Sequence, residues 1–282
     1  MNLSIKWALV LGVLLISANP LRLDAQRVVP PDPDKPRPID ALDTVFIEEM
    51  TWLEVRDAIR AGKTTVIVAT GGVEQNGPYV VTGKHNYILG AITEVIARKL
   101  GNALVAPIIK LVPEGDHDPP SGSMRYPGTI SLREETFRNV LVDVCSSFKP
   151  HGFQDIVLLG DSGGNQEGMK EVATRLNAEW AGSPRVHYIP EYYDYPGVLK
   201  FVEEQGIEQD FEGIHDEYGI SSILMAVDPE LVRMEQRLDK KLFVINGVDM
   251  GPPEKTIRIG KEIIEMRANQ TVEAITKSTA NH

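Results

Sequence analysis

Glu74, Gln75, Asn76 and His85 fall in one glycine-rich stretch, Gly71-Gly72-Val73-Glu74-Gln75-Asn76-Gly77-Pro78 followed by Thr82-Gly83-Lys84-His85-Asn86. A carboxylate, two amides and an imidazole this close together can hold a divalent cation or move a proton. Two other segments carry the same residue types. Asp161 and Ser162 stand in Gly160-Asp161-Ser162-Gly163-Gly164-Asn165, and His215-Asp216-Glu217 follows a stretch rich in Tyr, Glu, Asp and Gly. Glu, His and Asp together suit Zn²⁺, Mn²⁺ or Fe²⁺. Such an ion acidifies water and polarises a carbonyl, which is the chemistry of hydrolysing an unreactive amide.

These groups need a scaffold that brings them together. Residues 65–70 read as a buried strand entering the first stretch, and residues 155–159 as a fully apolar strand entering the second. Strands are also expected at 45–47, 103–107 and 186–190. Thr51 with Glu54 forms a capping box that opens a helix to about Ala61. Asn86 caps a helix to Leu100 that stops at Gly101. Ser131, with Glu134 at the third helical position, caps another to about Lys149. Further helices are expected from Asn165 to Trp180, at 194–205, 221–227 and 229–236, and over an amphipathic final stretch, 254–277, with Ile257, Ile264 and Val272 on its apolar side. The alternation implies right-handed crossovers and an α/β fold, with a mainly parallel sheet flanked by helices on both faces. Ligands in such folds gather at the carboxyl ends of the strands, where the first two segments lie. Residues 112–128 form a long loop of the kind that often serves function.

The first residues read as a leader. Lys6 precedes an apolar run from Trp7 to Ala18, and Leu23-Asp24-Ala25 offers a cleavage point before Gln26. Residues 1–25 are therefore expected to be a signal peptide, 26–42 a proline-rich linker and 43–282 the folded domain, in a periplasmic or secreted protein. Cys145 is the one cysteine, so no internal disulfide can form, and its apolar neighbours mark it as a buried structural thiol. The formal charge of −11 argues against a nucleic-acid partner.

Several segments in order resemble the creatininase family (creatinine amidohydrolases and related amide hydrolases), over about residues 43–235. The family's first loop commonly reads Gly-Ser-x-Glu-Gln-His-Gly-x-His, then Thr-Asp; here Gly71 to Tyr79 and Lys84-His85 stand there. Its Phe-Pro-Gly-Thr-Ile-Ser-Leu run is similar to Tyr126-Pro127-Gly128-Thr129-Ile130-Ser131-Leu132. Its Asn-Gly-His-Gly-Gly-Asn loop matches Gly160 to Asn165, and a later Glu-Thr-Ser and Pro-Glu-Leu-Val match Ile220-Ser221-Ser222 and Pro229-Glu230-Leu231-Val232. The resemblance implies a three-layer sandwich, a closed homo-oligomer (a hexamer among the options), and hydrolysis of a non-peptide C–N bond in a small cyclic or linear amide.

Family members typically bind two divalent ions through Glu, His, Asp, His and a further carboxylate. Only Glu74 keeps its place. Asn76 stands for the first His, His85 for the Asp, Ser162 for the second His and Ile220 for the last Glu. A rebuilt site for one or two Zn or Mn ions is expected from Glu74, His85, Asp161, His215 and Glu217. Glu217, Asp161 and Ser162 are the catalytic candidates, Glu217 as a general base. Gly163 and Gly164 would let backbone N–H groups reach an oxyanion. Asn76, His117, Asn165 and Tyr192 are expected to meet a small-molecule substrate, creatinine itself not being the expected one. Two alternatives stay open: a non-catalytic periplasmic binding homologue, and a serine hydrolase using Ser162 with His85 or His215 as base.

Overall fold

The computed structural model describes residues 30–209 and 215–280, and the α/β fold belongs to the unit that begins at Arg37. The expected leader, 1–25, and the first four residues of the expected linker lie outside the described residues. Four strands, Thr65–Thr70 (β1), Ala103–Val105 (β2), Asp155–Gly160 (β3) and Arg185–Tyr188 (β4), pair in parallel in the order β2-β1-β3-β4. The expected strand at 45–47 shrinks to a bridge between Phe46 and Val105, because the chain then turns into the 3-10 helix Ile47–Glu49.

Trp52–Arg60 (α1) opens on the expected capping box, with Glu54 N–H donating to Thr51 Oγ1 and Thr51 N–H donating to the Glu54 carboxylate. The other helices are Lys84–Leu100 (α2), Glu134–Phe148 (α3), Gln166–Glu179 (α4), Tyr195–Glu204 (α5), Tyr218–Val227 (α6), Met234–Asp239 (α7) and Pro253–Thr279 (α8). A small antiparallel ribbon, Val244–Ile245 (β5) with Val248–Asp249 (β6), precedes α8.

Successive strand residues point to opposite faces. Ile67, Ala69, Val157 and Leu159 enter one core with Ile88 and Ile92 of α2, Ile223 of α6 and Ile263 of α8. Val66, Val68, Ile156 and Leu158 enter the other with Phe137 and Leu141 of α3 and Met169 and Leu176 of α4. Both faces of β1 and β3 are thus covered, which explains their unbroken apolar runs.

Three local departures bear on the site. Helix α2 starts at Lys84 after Gly83, not after Asn86. Asn86 instead donates from Nδ2 to the Gly72 carbonyl at 3.0 Å, and this places Lys84 and His85 in the helix's first turn. Ser131 does not cap α3, whose N-cap is Arg133. Its hydroxyl accepts from Glu114 N–H at 2.9 Å and donates to the Gly115 carbonyl at 2.7 Å, clamping the long loop. Residues 229–236 do not form one helix: Arg233, at φ 56°, separates the 3-10 turn Pro229–Val232 from α7.

Candidate active site

The carboxyl ends of β1 and β3 meet over a cavity of about 570 Å³. Glu74, four residues past β1, is its most heavily bonded carboxylate. His85 Nε2 lies 2.8 Å from Glu74 Oε1, His215 Nδ1 lies 3.3 Å from the same oxygen, and Ser123 Oγ donates to Glu74 Oε2 at 2.7 Å. Lys84 Nζ stands 3.8 Å from Oε1. Burial works to raise the Glu74 pKa, but the bonds from His215 and His85, with the Lys84 charge, outweigh it and hold the carboxylate below its usual range.

On its far side, His85 Nδ1 lies 2.8 Å from Asp161 Oδ2. Asp161 follows β3 directly and is wholly buried; its other oxygen accepts from Arg267 Nη2 of α8 at 2.8 Å. The same Arg267 nitrogen donates to the Tyr192 carbonyl at 3.0 Å, and the guanidinium stacks 4.4 Å from the Tyr192 ring centroid. A continuous buried chain therefore runs Glu74–His85–Asp161–Arg267. Burial pulls His85 down, yet its bonds to Asp161 and Glu74 carry the imidazole above its ordinary pKa. Asp161 is pushed up by burial and drawn below its usual range by the Arg267 charge and the His85 bond.

Sequence reasoning passed over four residues here. Glu114, from the loop after β2, brings a ligand atom within 4.8 Å of those of Glu74 and His85, the one such trio among the described residues. Its Oε1 is buried with no partner, and its pKa is pushed up to about 8 by burial and then by the Glu74 charge. A side chain at Gly72 would strike that carboxylate, so glycine there makes room for it. Lys84 is 1% exposed and donates to the His215 carbonyl at 2.8 Å. This bond pins His215, whose backbone adopts the left-handed φ of 63°. Ser123 and Arg267 complete the four.

The expected residues divide sharply. Glu74, His85, His215, Glu217 and Ser162 line the cavity, and Glu217 Oε2 is buried without a partner. Asp161 does not face it, since both its oxygens are spent on His85 and Arg267. Four substrate contacts are corrected. Asn76 is buried and braces the loop, donating to the carbonyls of Glu74 and Val81 at 3.0 Å. Asn165 is wholly buried and stitches Thr70 and Gly71 to the β3 loop. His117 is exposed and its Nε2 lies 2.9 Å from the Ser131 carbonyl oxygen, away from the cavity. Tyr192 lies under Arg267, and it is Tyr193 and Tyr195 that form cavity wall. Among the described residues no hydrogen bond joins the Ser162 hydroxyl to His85 or His215: His85 has both nitrogens on carboxylates, and His215 Nδ1 faces Glu74.

Residues 48–275 match the family model for creatininase, creatinine amidohydrolase. The chain belongs to the creatininase family. It is 26% identical to the creatinine amidohydrolase of Pseudomonas putida over 219 residues, which are 74% of this chain and 82% of that protein. It is also 26% identical to a 3-dehydro-scyllo-inosose hydrolase of Thermotoga maritima over 195 residues, 69% of this chain, and spans only 60% of that relative's length. Among solved structures, a creatininase variant described as Zn–Zn type superposes with a TM-score of 0.62 at 21% identity, covering 84% of this chain and 99% of the other. A manganese creatininase and a variant complexed with creatine each give 0.61 at 22% identity, covering 83% and 98%. These structures share the three-layer fold found here.

The residues present fit a single ion of the kind those creatininases hold. Glu74, His85 and Glu114 offer two carboxylates and an imidazole, a donor set suited to Zn²⁺ or Mn²⁺. Glu114 Oε1 is buried with no donor from the protein, and a cation held between it and Glu74 would relieve the repulsion that, after burial, raises the Glu114 pKa.

Proposed function

We propose that this chain is a metal-dependent hydrolase that cleaves a non-peptide C–N bond in a small cyclic or linear amide. The observation that carries the reading is the convergence of Glu74, His85 and Glu114, with Glu114 Oε1 unpartnered, in a chain whose family model is an amidohydrolase. These three residues would hold the ion, and His215 stands at the cavity edge beside Glu74. When bound, the ion supplies Lewis acidity toward a carbonyl oxygen and makes water more acidic.

The protein's own groups do the rest. Asp161 is a positioning residue: it takes one ring N–H of His85 and so leaves the other nitrogen for a ligand, an arrangement that Arg267 secures. Glu217, which lines the cavity and has one buried oxygen without a partner, is the base that accepts a proton from attacking water and returns it to the departing nitrogen. The wall of Gly163 and Gly164 lets backbone approach a developing oxyanion, and a side chain at 164 would strike the Pro113 carbonyl. The cavity volume suits a small molecule, and Tyr193 and Tyr195 supply its aromatic wall.

Export and a closed homo-oligomer belong to the same proposal, supported by the leader-like first residues and by the family resemblance. Among the described residues no helix is long and apolar enough to cross a membrane. The test is to load metal-free protein with Zn²⁺ or Mn²⁺ and follow amine and carboxylate release from a panel of lactams, cyclic ureides and linear amides. Release that requires metal and disappears in Glu74→Ala is expected. A folded, metal-loaded protein that opens none of the panel would sink the reading.

A further inference from the structure

We infer that Lys84 is the second cation of this site: one metal ion, on Glu74, His85 and Glu114, works beside a protein ammonium where a two-ion centre would carry another metal. The inference rests on the metal-dependent reading above and deepens it.

Three observations carry it. The first is the ligand supply. Among the described residues, one trio alone brings ligand atoms within 4.8 Å of one another. A carboxylate can share its two oxygens between two ions, but His85 has one nitrogen turned to Asp161 at 2.8 Å and can serve a single ion. Asp161 offers nothing further, because Arg267 holds its remaining oxygen at 2.8 Å.

The second is position. Lys84 Nζ is buried, borders the cavity and lies 3.8 Å from Glu74 Oε1, the oxygen that also meets His85 and His215. An additional ion on this side of Glu74 would crowd the ammonium, and two like charges so placed repel strongly in a low-dielectric site. The third is charge balance. Asp161 is neutralised by Arg267, and Glu134, on the cavity rim, is exposed and lies 3.6 Å from Arg138, leaving the buried carboxylates of Glu74, Glu114 and Glu217. One divalent ion and one ammonium neutralise these three, whereas two divalent ions with Lys84 would leave two positive charges in excess. The ammonium donates one N–H to the His215 carbonyl, so other N–H bonds remain to meet an oxyanion forming on an amide carbonyl.

The test is a calorimetric titration of metal-free protein with Mn²⁺ alone, bound ion being counted by elemental analysis, for the wild type, Lys84→Met and Lys84→Arg. The wild type is expected to saturate at one ion per chain. Lys84→Met, freed of the repelling charge, is expected to bind its ion about tenfold more tightly or better, whereas Lys84→Arg keeps the wild-type stoichiometry and an affinity within about threefold. A merely structural lysine would predict weaker binding in both variants. Two ions in the wild type, or a folded Lys84→Met that binds no more tightly, overturns the inference and leaves the metal-dependent reading standing. No ion in the wild type defeats both. If Lys84→Met does not fold, the wild-type stoichiometry decides: one ion supports the inference and two overturn it.

Discussion

Two buried histidines, His85 on α2 beyond the carboxyl ends of β1 and β3 and His187 within β4, each have both ring nitrogens on oxygen atoms. His85 lies between Glu74 and Asp161, at 2.8 Å from each. His187 lies between Ser278 Oγ at 2.8 Å and Asp155 Oδ1 at 3.0 Å, a serine–histidine–aspartate series that on spacing alone looks like a catalytic triad. What separates them is their surroundings. Around His85, Glu114 Oε1 and Glu217 Oε2 are buried with no partner, and a cavity opens beside them. Among the described residues no such orphaned atom belongs to His187, Ser278 or Asp155. They tie the start of β3 and the body of β4 to the end of α8. Two-sided engagement of an imidazole is ordinary bracing; buried carboxyl oxygens without hydrogen-bond partners beside open space mark a site.

The comparison breaks or sharpens under substitution. Glu74→Ala removes the acceptor shared by His85, His215, Ser123 and Lys84. Metal affinity should fall by at least about 100-fold, and buried Lys84, losing its partner, should cost roughly 3–5 kcal/mol of stability by chemical denaturation. Asp161→Asn comes next. It should weaken metal binding about 10–100-fold by misorienting His85, with a further stability loss from the unpaired Arg267. Retained metal affinity in a folded Asp161→Asn protein would remove the positioning role.

A pH effect follows from Glu114. Its carboxyl, raised from an ordinary 4.5 to about 8 in the folded, metal-free protein, binds more protons folded than unfolded between those values. Its contribution to stability is therefore lost as pH rises through that window. His85, also raised, acts in the same direction as pH climbs past its ordinary value. Denaturation of metal-free protein should show stability declining from about pH 5 to 8, and Glu114→Gln should flatten that decline. Metal binding below about pH 8 should release a proton, readable as a buffer-dependent binding enthalpy. The smallest effect belongs to the other histidine: Ser278→Ala should change stability by about 1 kcal/mol and leave metal affinity and turnover unaltered. Lost turnover there would erase the contrast.

The scaffold was legible because its signals are local. The apolar run of β1, the Thr51–Glu54 box and the left-handed Gly101 end of α2 stand where the chain announces them. The site was half legible. Glu74, His85, His215 and Glu217 were found by residue type and by the strand ends they follow. Glu114 was hidden because nothing in the sequence of the 112–128 loop says which of its side chains turns inward; the Ser131 clamp that holds Glu114 there is a tertiary contact. Lys84 looked like a loop flank until α2 began at it. Arg267 had a usable signal: it lies four residues from both Ile263 and Thr271, on the fully buried stripe of α8, whereas Ile257, Ile264 and Val272 are only partly buried. A charge on the buried side of an amphipathic helix needs a partner, and Asp161 is that partner.

Anomalous diffraction from crystals grown with Zn²⁺ tests the central claim most directly. The account predicts one peak per chain, about 2.0–2.2 Å from a nitrogen of His85 and from carboxylate oxygens of Glu74 and Glu114, with His85 still bonded to Asp161. No peak at that place, with Glu114 still unpartnered and the His85–Glu74 bond intact, would contradict it.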